Sequence, residues 1–137
     1  MFKLREPNEI SEELRSAVQS VCRRLSEHCG RVGALVNGFE EMQVNNPAFS
    51  FDQPFHSTKS NLTKTALIGM VESYESLRRD VRELIRENTE TGFVDFEVLF
   101  PSLDVNFETY YSVVVSLLNL IYQMQLMRAY CLSLLKS

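Results

Sequence analysis

Thr109-Tyr-Tyr-Ser-Val-Val-Val-Ser-Leu-Leu-Asn-Leu-Ile-Tyr-Gln-Met-Gln-Leu-Met127 runs for 19 residues between Glu108 and Arg128 without a single charge. Its length and uncharged character predict a helix. At 100° per residue, Thr109, Ser112, Ser116, Asn119 and Gln123 fall on one narrow stripe, which Tyr130 continues. The rest of the circumference, roughly 200° or more on the same count, carries Val113, Val114, Val115, Leu117, Leu118, Leu120, Ile121, Tyr122, Met124 and Leu132. A bundle helix needs an apolar stripe only a little over about 100° wide. This segment therefore brings more apolar surface than two neighbouring helices cover, and whatever buries the surplus decides the fold.

Lipid is one candidate. A spanning helix needs about 20 predominantly apolar residues. Two serines, an asparagine, two glutamines and the tyrosines dilute this run, and Arg128 is followed by further apolar residues instead of ending it. No transmembrane span is expected. The remaining choices are the chain's own aromatic segments, folded over the spare face, or another protein. The surplus points to Val115, Leu118, Tyr122 and Leu126 as the spare strip.

Working outward, the start of the chain carries a second helical pattern, roughly from Glu9 to Val44. Leu14, Val18, Val21, Leu25, Val32, Leu35, Phe39 and Met42 recur in alternating steps of 4 and 3, with His28 filling the one gap. Cys22, Cys29 and Val36 widen that seam into the stripe of a bundle helix. Gly30, Gly33 and Gly38 weaken it locally, and permit either a close helix approach or a bend. Prolines at 47 and 54 then break the pattern, leaving a loop rich in aromatics, Phe49, Phe51 and Phe55. A further helix is expected over about 60–88, with Leu67, Met70, Tyr74, Leu77, Val81 and Leu84 on its seam. Its opposite face, from Glu72 through Arg78, Arg79 and Arg82 to Glu87, reads as solvated. Residues 93–100 form a short apolar piece, either a helical turn or an extended strap, and the last helix is expected to begin near Ser102 or Asp104.

The three helices come to about 35, 29 and 33 residues, or about 45–50 Å each at ~1.5 Å per residue. They predict an all-α fold: one domain over 1–137, an elongated antiparallel three-helix bundle with a short fourth helical segment around 93–100.

Chemistry is sparse. The formal charge of -4, from 14 basic and 18 acidic residues, argues against nucleic-acid binding, which normally needs a basic face. Cys22, Cys29 and Cys131 have no paired spacing, so reduced thiols and an intracellular, cytoplasmic setting are expected. His28 stands beside Cys29, but the further ligands of a structural metal site are missing, and a satisfied core histidine is the better reading. In that role His28 would specify helix register, and leucine there would stabilise the fold while loosening register. Arg23-Arg24-Leu25-Ser26 fits a basophilic kinase pattern but lies mid-helix. No catalytic motif and no cofactor site is expected. The composition thus points to a non-enzymatic structural or adaptor subunit that binds protein partners, or itself, through Val115, Leu118, Tyr122, Leu126 and the aromatics Phe49, Phe51 and Phe55. Peripheral membrane contact or an apolar ligand held in the bundle are the alternatives.

Overall fold

The computed structural model describes residues 12–45, 64–88 and 94–135. The helices are α1 (Glu12–Asn45), α2 (Lys64–Asn88), α3 (Val94–Leu99) and α4 (Tyr110–Ser133). Most seam positions read from the sequence are buried, with Leu14, Leu35 and Met70 half-buried: Val18, Leu25, Val32 and Phe39 of α1 meet Leu67, Tyr74 and Val81 of α2 and Val113, Leu117, Leu120, Met124 and Met127 of α4. An all-α bundle of three long helices results, with α3 as the short fourth segment. Phe49, Phe51 and Phe55, and the expected start of the second helix at residue 60, lie outside the described residues.

Two pairs of contacts fix the directions. The ring of Phe39 meets that of Tyr110 edge-on at 5.8 Å, while Cys22 Sγ lies 3.9 Å from the Arg128 carbonyl oxygen, so α1 and α4 are antiparallel. His28 meets Met70, and Arg24 pairs with Asp80 at 2.9 Å, so α1 and α2 are antiparallel as well. It follows that α2 and α4 run parallel, and the chain must travel back along the bundle between them.

Residues 100–109 make that journey. The expected helix start near Ser102 or Asp104 is corrected here: these residues are not helical, and α4 has 24 residues. Phe100 stacks edge-on against Tyr130 with 5.4 Å between centroids, and Asn106 N–H donates to Ser116 Oγ at 3.1 Å. Six residues at ~3.3 Å each span about 20 Å, and the 14 helical residues from Ser116 to Tyr130 at ~1.5 Å span about 21 Å. The strap is thus fully extended along the hydroxyl stripe of α4. Ser116 Oγ also donates to the Asn106 carbonyl at 3.3 Å, so this member of the polar stripe is covered by strap backbone, while Asn119 stays exposed. The strap ends where Thr109 caps α4: Ser112 N–H donates to Thr109 Oγ1 at 3.1 Å and Thr109 N–H to Ser112 Oγ at 2.9 Å.

The solvated face expected on α2 needs a correction too. Arg78 is only 8 % exposed, because α3 lies over it. Its Nε donates to the Phe100 carbonyl at 2.7 Å, its Nη2 to Glu97 Oε2 at 2.7 Å, and the guanidinium sits 5.4 Å over the Phe96 ring. Arg82 Nη1 reaches the other carboxylate oxygen of Glu97 at 3.2 Å. Two α2 arginines therefore clamp the corner from which the strap departs, and the hydrogen bond from Arg78 holds the Glu97 carboxyl below the usual carboxylate range.

Candidate interaction surface

The three-helix packing leaves α4 with two opposed apolar faces. One, about 100° wide at 100° per residue, is buried and runs through Tyr110, Val113, Leu117, Leu120, Met124, Met127 and Cys131. The other carries Tyr111 (61 % exposed), Val115 (37 %), Leu118 (48 %), Tyr122 (58 %) and Leu126 (37 %). Asn119, Gln125 and Ala129 are exposed beside them. The four α4 residues singled out from the sequence thus share one exposed face, and Tyr111 extends it by a further turn. Tyr111 carried the same signal, being four residues before Val115. The other large exposed hydrophobics, Ile68 on α2 and Val98 and Leu99 on α3, are not part of this stripe.

Beside the stripe, α1 contributes a shallow edge. Leu25, Ser26, Cys29, Gly30, Met124, Gln125 and Arg128 line an open groove of about 310 Å³ between α1 and α4. A Cβ built on Gly30 or on Gly33 would meet nothing within 4 Å. No close helix approach inside the bundle therefore explains these two glycines. Gly30 lines the groove and keeps the flank of α1 low there.

His28 is 2 % exposed and lies away from that face. Its Nε2 is 3.1 Å from the Met70 carbonyl, which only accepts, so Nε2 carries the proton. Nδ1 is then the acceptor for Arg31 Nη2 at 3.4 Å. Burial is the main influence lowering its pKa from 6.5. The Met70 hydrogen bond works the other way, and the Arg31 charge adds to the lowering. A base whose folded pKa is depressed contributes stability at neutral pH that is lost as pH falls below the unfolded value near 6.5. Urea unfolding at about pH 7.5 and about pH 5.5 should show the midpoint fall at the lower pH, and His28→Gln should shrink that fall. The Glu97 carboxyl, depressed below 4.5, titrates beneath this window.

Elsewhere the chemistry is quiet. Burial pushes the Cys131 thiol up to about 12, with a smaller contribution from Cys22, and raises Cys22 and Cys29 as well. Thiols shifted in this direction are poor nucleophiles. Among the described residues, no three His, Cys, Asp or Glu side chains gather to hold a metal ion, and no helix is long and apolar enough to cross a membrane. Ser26 of the kinase-like pattern sits within α1. Comparison with protein-family models, curated proteins and solved structures gave no match. The exposed face of α4 is accordingly read from its own residues.

Proposed function

We propose that this chain is a non-enzymatic interaction module, a structural or adaptor subunit, whose docking surface is the exposed apolar face of α4. A single observation carries the reading: the face opposite the core holds Tyr111, Val115, Leu118, Tyr122 and Leu126 in unbroken succession. Single exposed hydrophobics are ordinary, whereas a contiguous patch rimmed by polar residues marks a site of association. The aromatic content adds support, because tyrosine supplies large contact area with few rotatable bonds and retains a polar tip.

The flank favours a protein partner over an anionic membrane. A membrane-surface helix carries several lysines and arginines along its apolar face, whereas Arg128, at one end, is the one basic residue of α4, and the rest of the rim is Asn119, Gln125 and the small residues of α1. An apolar ligand within the bundle is supported less, since the groove between α1 and α4 is open to solvent. Three free thiols, two of them buried, fit a reducing compartment.

A photo-reactive phenylalanine analogue at position 122 tests the reading, with the same analogue at exposed Arg79 of α2 as control. Irradiation in the source cells should give discrete protein adducts from position 122 and none of the same mass from position 79. Identical patterns, or no adduct at 122, would overturn the docking face.

A further inference from the structure

We infer that the partner seated on this face is a second copy of the chain, with the two α4 helices packed antiparallel about a two-fold axis. The inference rests on the docking reading above and names the partner. Tyr111, Val115, Leu118 and Tyr122, followed by Gln125 and Ala129, advance in steps of 4, 3, 4, 3 and 4. Their average, about 3.6, is the period of a straight helix, so the row stays on one face and a second helix can lie along it. The stripe suits a partner helix along its whole length.

Charge selects the partner. Because α1 and α4 are antiparallel, Glu40 and Glu41 of α1 lie at the end where Glu108 precedes α4. Arg15 and Arg23 lie at the other end, with Arg128. Glu12 and Glu13 share that second end and leave it net positive by a single charge, three arginines against two glutamates. Between the ends, the exposed strip of α4 from Tyr111 to Gln125 and the adjoining edge of α1, Ser26, Gly30 and Gly33, carry no charge. One face thus has an acidic end, an uncharged middle and a basic end. A two-fold axis across its middle sets each acidic end on the partner copy's basic end, and a parallel arrangement sets like on like. With the axis near Leu120, Leu118 comes level with the partner's Tyr122, and Tyr111 with the partner's Ala129.

The size is sufficient. A face about 36 Å long at ~1.5 Å per residue and about 20 Å wide, two helix diameters, covers ~700 Å² per copy. The total of ~1,400 Å² falls within the range of roughly 1,200–2,000 Å² for stable specific interfaces.

Sedimentation equilibrium of the full chain, from about 1 µM to about 1 mM, tests the proposal. A mass of twice 15.8 kDa is expected, with association weakening severalfold between low and high salt as the end charges are screened. R23E/R128E should weaken the dimer at least tenfold, E40R/E41R should do the same, and the four changes together should restore it. All four residues are exposed, and circular dichroism on each variant confirms that the bundle is intact. A monomer across the whole range overturns the proposal, as does a dimer indifferent to the charge reversals or a failure of the combined variant to recover. A monomer that still gives adducts to another protein at position 122 overturns self-pairing and leaves the docking face standing. A monomer without adducts removes both.

Discussion

Phe39→Ala is expected to lower the unfolding free energy by about 3–5 kcal/mol, the range for truncating a fully buried phenylalanine. Phe39 is 0 % exposed and sits near the end of α1, where its ring meets Tyr110 at 68° and 5.8 Å. Tyr110 is the first residue of α4, immediately after the Thr109 cap. The substitution therefore empties a large volume and removes an edge-to-face ring pair worth roughly 0.5–1.5 kcal/mol beyond its area. It does so at the point where the strap turns into α4, which leaves few neighbours able to collapse into the space. Chemical denaturation should show a lower midpoint with the slope preserved. A loss below about 1 kcal/mol would mean that this end of the bundle is far looser than its packing indicates.

Arg78→Ala is the second large effect, expected at about 2–4 kcal/mol, within the range for losing a partner from a buried charged network. The buried contact dominates. The Phe100 carbonyl loses its guanidinium donor beneath α3, and the Phe96 ring loses the cation above it. The bond to Glu97 contributes less, because that carboxylate faces solvent and keeps Arg82 as a partner. Since this corner launches the strap, hydrogen exchange should quicken along residues 100–108 before it does in α1. Arg79→Ala, one residue on and exposed, should change little. Equal effects from the two arginines would contradict the clamp.

The seams of α1 and α2 were legible because alternating steps of 3 and 4 over several turns have few other readings. Two features were harder to see. Ser102-Leu-Asp-Val-Asn-Phe-Glu-Thr109 alternates polar and apolar residue by residue, and Leu103, Val105 and Phe107 are the ones turned inward. That period of two signals an extended segment. It is masked by the following helix when a start is sought at the first capping-type residue, and Thr109 with Ser112 is the stronger cap. Arg78 gave no local signal. Its spacing is that of a charged outer face, and only the placement of α3, some 20 residues later, makes it a buried anchor.

The exposed strip was half legible. A charge-free helix with apolar residues on more than half its circumference announces a surplus, which fixed Val115, Leu118, Tyr122 and Leu126 as its middle. What the pattern hid was how the surplus is divided. Ser116 both accepts a hydrogen bond from the strap and donates one to it, so a polar side chain is buried under backbone while apolar ones on the opposite side are left exposed. Periodicity reports which residues share a face. It carries no information on which neighbour that face meets.

The proposed docking surface requires that α4 have one apolar face for its own bundle and a second that the bundle leaves exposed. Circular dichroism and thermal unfolding of two double variants test this most directly. L118E/Y122E places two charges on the exposed face and should keep wild-type helicity with a cooperative transition even where association is lost, because both positions are exposed in the bundle of a single chain. V113E/L117E places the same charges on the buried face of the same helix, where both residues are 0 % exposed, and should fail to fold because two unpaired charges would have to be buried. If L118E/Y122E lost its fold as V113E/L117E does, the exposed strip would be core, and the docking surface would not exist.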